Sequence, residues 1–322
     1  MKAIRIHQFG GPDVLGFEDA AEPVLKPTDA LVKVEAAGVN FIDIYQRTGI
    51  YKLPLPMTLG LEGAGTVTEV GADVKDVKPG DRVAWTSVPG AYAQYCAVPS
   101  DRLVLLPPGV TTKQGAATML QGITAHYLAH STYPLKAGET CLVHAGAGGV
   151  GLLLTQIAKM RGARVITTVS TEEKAALSRA AGADLVVLYT KQDFEVEAKA
   201  FTGGKGVSVV YDSVGLTTFE KSVNSLVPRG MLVLFGQSSG VVPPVDPQYL
   251  SQKGSLFFTR PTLIHYIASR DELQQRAGDL FDWISRGALR LRMEFEFPLK
   301  DAADAHKALA GRTTTGKVLL LP

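Results

Sequence analysis

The run Cys141-Leu142-Val143-His144-Ala145 leads straight into Gly146-Ala147-Gly148-Gly149-Val150-Gly151, and Leu152-Leu153-Leu154-Thr155-Gln156-Ile157-Ala158-Lys159 continues without a break. An apolar strand, a Gly-x-Gly-x-x-Gly turn and an apolar helix in that order make a dinucleotide cradle. Gly146 is expected to permit the tight turn, Gly148 to let backbone approach a pyrophosphate, and Gly151 to let the helix pack on the strand. The free amides of Gly149 and Val150, at the positive end of that helix, face the phosphates.

The residues beyond this helix complete a nucleotide-binding unit. Residues 163–169 form a β-branched second strand, and 172–181 have helical spacing closed by Gly182, where a left-handed residue is wanted. Residues 185–188, 207–212, 231–235 and 255–258 recur as short apolar runs between helix-like stretches. Continuous apolar strands alternating with helices imply an α/β fold with a parallel sheet covered on both faces.

The choice of dinucleotide turns on a residue that is missing. A site built for NAD carries Asp or Glu at the end of the second strand, about 20 residues past the glycines, to hold the ribose 2′-hydroxyl. That place is Ser170 here, and Lys174 stands one helical turn on, where an ammonium can meet a 2′-phosphate. NADP(H) is therefore the expected cofactor. Glu172 and Glu173 stand near the same place and speak against it, although both are also what the first turn of a helix capped by Thr171 favours. Tyr189, just past the third strand, can cover the adenine or phosphoribose, or simply pack.

At 322 residues, 46% of them hydrophobic, the chain is long enough for two domains, and the nucleotide unit fills only about half of it. A net charge of +2 from evenly mixed signs, with no long basic run, implies neither nucleic acid nor an anionic membrane as a partner. Cys96 and Cys141, the only cysteines, lie in strand-like runs and read as small buried hydrophobes, which fits a reducing, cytoplasmic compartment. The opening residues lack the apolar core of a signal peptide, and no apolar run is long enough to span a bilayer.

The region before the cradle reads differently. Residues 3–6, 30–36, 65–70, 82–85 and 91–98 are short strands, several of them alternating, separated by turns such as Lys78-Pro79-Gly80-Asp81. That pattern predicts an antiparallel, barrel-like domain. Beyond the sheet, 271–284 and 301–309 have helical spacing and 316–321 reads as a final strand, a tail expected to return to the first domain.

Taken in order, Met1-Lys2-Ala3-Ile4, Gly38-Val39-Asn40-Phe41-Ile42-Asp43, Gly60-Leu61-Glu62-Gly63-Ala64-Gly65, Lys78 to Val83, His144 to Gly151, Tyr211-Asp212-Ser213-Val214-Gly215, Phe235 to Gly240, Thr259-Arg260-Pro261-Thr262 and Thr315-Gly316-Lys317 run nearly end to end. With these blocks the chain resembles the medium-chain dehydrogenase/reductase superfamily, and within it the zinc-free quinone oxidoreductases related to zeta-crystallin. The resemblance implies a GroES-like catalytic domain over 1–122, a Rossmann NADP(H)-binding domain over 123–263, and a return to the catalytic domain over 264–322. It further implies an active site in the cleft between the domains, NADPH-dependent reduction of quinones, and a homodimer or homotetramer.

The absence of zinc ligands sharpens that implication. Alcohol-dehydrogenase relatives carry a His-Glu pair where this chain has Leu61-Glu62, together with a ligating Cys and often four further clustered cysteines. Two isolated cysteines make neither site, and of the six histidines (His7, His126, His130, His144, His265 and His306) only His126 and His130 share a helical spacing, with no third ligand near in sequence. No metal is expected. Without a Lewis acid the acceptor must take hydride readily, as a quinone or an activated enone does.

Polar candidates for the site are few. Asn40 precedes a helix-like run, 41–47, and reads both as an N-cap and, through the resemblance, as a residue near the nicotinamide and substrate. The resemblance places Tyr45 and Tyr51 at the substrate pocket, where each phenol can bond a quinone oxygen, stack on its ring, or only pack. It makes Thr124 a cofactor contact, with Gln121 standing where relatives often have Lys. Ser213, Phe235, Gly236, Ser238 and Ser239 fall at carboxyl ends of parallel strands, where open-sheet ligands bind. Phe258, Thr259 and Arg260 would offer backbone groups to the carboxamide, and Lys317 is placed near the phosphates or the cleft mouth by resemblance alone. Two other activities compete with quinone reduction: an alkenal or enone reductase on the same scaffold, and a non-catalytic NADPH- or RNA-binding protein, against which the near-neutral charge argues.

Overall fold

The apolar, β-branched runs in the middle of the chain assemble into one six-stranded parallel sheet in a computed structural model that describes residues 1–322. In spatial order the strands are Leu185–Leu188, Arg164–Val169, Thr140–Val143, Val207–Asp212, Leu226–Leu234 and Phe257–Thr259, every pair parallel. That is chain order three, two, one, four, five, six: a doubly wound Rossmann sheet whose direction of winding switches between its first and fourth strands. Ile166, Val187, Val207 and Val210 are sealed from water, with Phe194, Ala198 and Val223 of the flanking helices packed on them, and Val209 is equally buried. This two-sided burial is why the strands read as unbroken apolar runs.

Two strands depart from their expected limits. The fifth begins at Leu226 rather than 231: Leu226 pairs with Val207, and a bulge that includes Arg229, at φ 62, separates it from Met231, which pairs with Val209. The sixth begins only at Phe257, since Ser255 sits at φ 55 and cannot continue a ladder.

The chain divides into two compact units, Met1–Ile123 with Ile267–Pro322, and Thr124–Tyr266. In the first, a GroES-like unit, the main sheet runs Phe295–Pro298, Val318–Leu321, Asp29–Val39, Glu62–Val70, Arg82–Thr86 and Val104–Leu105, with Tyr95–Pro99 also paired to Asp29–Val39. A three-stranded sheet of Gly16–Asp19, Lys2–Ile6 and Met57–Thr58 accompanies it. All pairs are antiparallel except Phe295–Pro298 on Val318–Leu321. The core gathers Ile4, Ile6, Leu59, Trp85, Tyr92, Val318 and Leu320, so the C-terminal strand is integral to it.

Residues 91–98 do not form one strand. Only Tyr95–Pro99 pairs as a ladder, and Ala93 makes a single bridge to Ala3. Tyr92 turns inward instead: its ring is fully buried and its hydroxyl reaches Asp43 Oδ2 at 2.9 Å, a polar tip that an alternating strand pattern does not reveal.

Candidate functional site

At the mouth of the first parallel strand the left-handed residue of the turn is Ala145, at φ 54, and not Gly146. Gly146 is glycine for closeness: a Cβ there would lie 2.5 Å from Thr167 Cβ and 2.9 Å from Ser178 Oγ, against the second strand and its helix. Gly151 is glycine because a Cβ would be driven into the carbonyl oxygen of Ala145. Gly148 differs from both. A Cβ there would meet only Ala145, with its carbonyl oxygen nearest at 3.2 Å, so nothing in the protein demands glycine and the space beside its backbone is open. Gly148 N-caps the helix Gly149–Met160, whose first i→i−4 bond is Leu152 N–H to Gly148 O at 2.9 Å. The amides of Gly149, Val150 and Gly151 therefore precede any intrahelical acceptor and face an open place, which fits a pyrophosphate.

Ser170 and Tyr189 are brought together at the ends of the second and third strands, where Tyr189 N–H donates to Val169 O at 3.1 Å and Thr190 Oγ1 donates to Ser170 O at 3.1 Å. Tyr189 is 45% exposed, so its ring is not core packing. Lys174 lies in the first turn of the helix Glu172–Ala180, capped by Thr171. The acids that compete with it are turned to the helix itself. Glu173 is held below the usual carboxylate range by its own backbone amide and by Thr171, and Glu172 reaches Arg179 at 3.8 Å.

The fourth and fifth strand ends interlock. Phe235 and Gly236 N–H both approach Asp212 O, at 2.8 and 3.3 Å, and Ser238 N–H donates to Ser213 O at 3.2 Å. Ser239 Oγ donates to Val214 O at 2.8 Å and accepts from Thr217 N–H at 3.1 Å. Phe258 packs its ring edge-on to Phe219 at 5.8 Å, leaving backbone as what this strand can offer, with half-buried Thr259 and exposed Arg260 after it.

A buried network that the sequence analysis did not single out holds these ends. Asp212 Oδ1 accepts from Val214 and Gly215 N–H at 2.8 and 2.9 Å, and Oδ2 from Thr218 Oγ1 and Ser222 Oγ at 2.7 and 2.9 Å. Because Ser222 donates to Asp212, it must accept from His144 Nε2, 2.9 Å away, and His144 Nδ1 then accepts from Thr168 Oγ1 at 2.9 Å. Burial keeps His144 below the ordinary imidazole range, consistent with this neutral tautomer.

In the GroES-like unit a second buried cluster forms. Asn40 is the N-cap of the helix Phe41–Arg47, and Asp43 Oδ2 accepts from its N–H at 2.8 Å. Its side-chain Nδ2 donates to Gly38 O at 3.2 Å and to Glu62 Oε2 at 2.9 Å, while Oδ1 accepts from Lys317 Nζ at 2.9 Å. Lys317 also pairs with Glu62 Oε2, and Glu62 Oε1 accepts from Leu120 N–H at 2.6 Å. Lys317 is thus neither a solvated flank nor an open phosphate ligand; at 2% exposure its ammonium is held by Glu62 and Asn40. Glu62, which the sequence places in a matching block without a role of its own, is the buried charge at the centre of this cluster that sequence reasoning missed. A lone carboxylate opening an apolar, glycine-rich run, Glu62-Gly63-Ala64-Gly65, was the signal available.

Tyr45, 8% exposed, meets Tyr51, 38% exposed, edge-on at 5.5 Å, with Phe41 at 6.3 Å on the other side. Thr124 is buried in the helix Gln121–Tyr127, and Gln121 keeps a buried Oε1 with no protein partner.

The same Asp43 oxygen, Oδ2, joins a third network. Arg47 Nη1 donates to His306 Nδ1 at 3.3 Å, which leaves the proton on Nε2 to meet Tyr92 Oη at 3.2 Å, and Tyr92 donates to Asp43. Burial pushes Asp43 up to about 7 from 3.8 and pulls His306 down to about 3 from 6.5. The signs are opposite. Asp43, raised in the fold, contributes stability that is present below pH 3.8 and lost as pH rises through about 7; His306, depressed, contributes stability present above pH 6.5 and lost as pH falls through about 3. Each gap is worth at most about 4–5 kcal/mol. Relative to the parent, Asp43→Asn should therefore lose stability more steeply on acidification from pH 6.5 to 4.5, and His306→Gln less steeply. Melting temperatures across that range check this, and slopes parallel to the parent for both variants would refute it.

Cys96 and Cys141 are free, buried thiols, each pushed up to about 12 by burial. His126 and His130 stack at 4.3 Å, with His130 Nδ1 bonded to the His126 carbonyl at 2.9 Å, and no three His, Cys, Asp or Glu side chains converge as metal ligands.

A Rossmann unit with a glycine cradle, carried in one chain with a GroES-like unit, defines a medium-chain dehydrogenase/reductase. Residues 26–108 match the alcohol dehydrogenase GroES-like domain family and 149–285 the family described as zinc-binding dehydrogenase. The quinone oxidoreductase of Pseudomonas aeruginosa is 46% identical over 100% of this chain and 99% of its own. A 2-haloacrylate reductase from Burkholderia is 42% identical over 98% of each. The crystal structure of Escherichia coli quinone oxidoreductase complexed with NADPH superposes with a TM-score of 0.98 at 43% identity, covering 100% of both chains. The chain belongs to the zinc-free quinone oxidoreductase family of the medium-chain dehydrogenase/reductases.

Proposed function

We propose that this protein is an NADPH-dependent quinone reductase that transfers hydride without a metal. The observation that carries the reading is the unclaimed space beside Gly148 at the N-terminus of a 12-residue helix, with Ser170 and Lys174 rather than an acid at the second strand's end. Both residue sets fit NADPH. When bound, the cofactor supplies the hydride, and the chain's own work is placement.

In this reading the amides from Gly149 to Gly151 hold the pyrophosphate, with Gly146 closing the turn beneath them. Ser170, Lys174 and Tyr189 hold the phosphorylated ribose and adenine. The loops carrying Ser213, Phe235, Gly236, Ser238 and Ser239, with the backbone of Phe258, Thr259 and Arg260, hold the nicotinamide half, joined by Thr124. Asn40, Tyr45 and Tyr51 face the acceptor, and Lys317 acts through Asn40. A homodimer or homotetramer in the cytoplasm completes the proposal; light scattering tests the assembly.

Lys174→Ala should weaken NADPH binding by about 1–2 kcal/mol and leave NADH nearly unchanged. Equal affinity of the parent for the two cofactors would contradict the assignment. Tyr45→Phe and Tyr51→Phe, which keep the ring, should each lower kcat/KM by about 0.5–1.5 kcal/mol, whereas removing an obligatory acid costs roughly 10²–10⁴-fold. A thousandfold loss at one position would make that tyrosine the proton donor.

A second reading, an enone reductase on the same scaffold, draws on the 2-haloacrylate reductase relative. Turnover of benzoquinones against vinyl ketones with NADPH separates the two.

A further inference from the structure

Three neighbouring strands of the Rossmann sheet end at one level. Val143 pairs with Thr167 on one side and with Tyr211 on the other, and one residue further along each strand stand His144, Thr168 and Asp212. Side chains alternate along a strand, so these residues share a face with Leu142, Ile166 and Val210, the fully buried apolar row that pairs two residues earlier. The face thus turns from hydrocarbon to polar at its last row. That row is just as dry: His144 is 1% exposed, Thr168 2%, and Asp212 and the Ser222 that joins them 0%. Packing alone does not ask for this, because another apolar row carries no desolvation cost, whereas a carboxylate sealed from water costs stability even when it is well bonded.

What the polar row adds is a fixed spacing. His144 Nε2 and Asp212 Oδ2 are 3.9 Å apart, too far to bond, and the Ser222 hydroxyl stands between them at 2.9 Å from each. On the other side Thr168 Oγ1 donates to His144 Nδ1, while the Thr168 carbonyl accepts from Gly146 N–H of the glycine turn at 3.0 Å. Asp212 gathers the amides of Val214 and Gly215 onto its second oxygen, which fixes the loop that carries Ser213. One unbroken chain of bonds therefore ties the end of the second strand and the glycine turn to the end of the fourth strand. It crosses the floor of the crevice where the winding of the sheet reverses, the place where open sheets hold their ligands.

We infer that Thr168, His144, Ser222 and Asp212 are positioning residues that set the width of this crevice, keeping the loop that receives the nicotinamide half in register with the turn and strand end that receive the adenosine half. None of them is exposed enough to touch the cofactor, so they act through the loops they join. The inference rests on the reading of this unit as an NADPH site, and it adds a division of labour: the adenosine half binds without the spacer, and the nicotinamide half depends on it.

The test compares a whole dinucleotide with part of one. NADPH needs both banks of the crevice, whereas 2′-phospho-ADP-ribose needs only the turn and the second strand's end; both affinities are read by calorimetry on the full chain, without acceptor. The parent should bind NADPH at least about tenfold more tightly than 2′-phospho-ADP-ribose. Ser222→Ala removes the spacer, and His144→Phe keeps the ring that packs edge-on to Phe194 at 4.7 Å but removes both of its bonds. Each should lose most of that margin, with 2′-phospho-ADP-ribose held within about twofold of the parent. Val207→Ala, a core truncation at the opposite end of the fourth strand, lowers stability and should keep the margin. A parent without the margin, or a variant of Ser222 or His144 that keeps it because both ligands weaken together or neither does, would overturn the inference. So would a margin lost equally in Val207→Ala, since any loosening of the fold would then suffice. If one of the two network variants does not fold, the other decides. Failure of the underlying reading looks different, because the parent would then bind neither ligand.

Discussion

Gly148→Val is expected to fold as the parent does and to bind NADPH roughly 10- to 150-fold more weakly, a loss of about 1.5–3 kcal/mol. Its backbone, at φ −75 and ψ 171, suits a β-branched residue, and nothing in the protein but Ala145 lies within reach of the new carbon. The added side chain occupies the space the phosphates need. Gly151→Ala is the matched contrast, because its Cβ meets the Ala145 carbonyl and lies 3.0 Å from Gly146 Cα, both backbone atoms that cannot step aside. It should lower stability by about 1–3 kcal/mol, with affinity lost as a consequence of the displaced helix. Denaturation midpoints and NADPH titrations on both variants check the pair. A destabilised Gly148→Val with intact affinity would mean that the open space serves folding alone.

Asp212→Ala should be the most damaging single change in the Rossmann unit, at about 3–5 kcal/mol, because one fully buried carboxylate satisfies four donors. Asp212→Asn should cost only about 1–2 kcal/mol. Oδ1 still accepts from Val214 and Gly215, while the new NH₂ turns the Thr218 and Ser222 hydroxyls into acceptors; Ser222 then donates to His144 Nε2, and His144 moves its proton to Nδ1, where Thr168 Oγ1 accepts it. Denaturant unfolding gives the two stabilities, and ring ¹⁵N shifts of His144 give the tautomer. Equal losses for Ala and Asn would show that charge, and not donor satisfaction, holds the strand ends.

The Rossmann half was legible because its signals are local. Periodic apolar runs set the strands 185–188 and 207–212 at their observed limits, and a left-handed glycine, Gly182 at φ 105, closes the helix Glu172–Ala180 as its position implied. The turn was legible as a whole but not in its division of labour, since Ala145 takes the left-handed conformation that composition assigns to a glycine. Strand limits near Arg229 and Ser255 were lost to single positive-φ residues whose side chains give no such warning. The polar networks were illegible for another reason: Asn40, Glu62 and Lys317, and likewise Asp43, Tyr92 and His306, meet across 22 to 277 positions of sequence. Each alone looks like a cap, a surface charge or a packed ring.

One steady-state panel measures the choice of cofactor and of acceptor together. Purified protein is assayed with NADPH and with NADH, each against a benzoquinone, a naphthoquinone and a vinyl ketone, monitoring loss of the reduced nicotinamide. The predicted result is the highest kcat/KM for NADPH with a quinone, with NADH at least about fivefold poorer, the lower end of the phosphate contact assigned to Lys174. Preference for NADH, or a vinyl ketone turned over faster than either quinone, would contradict it.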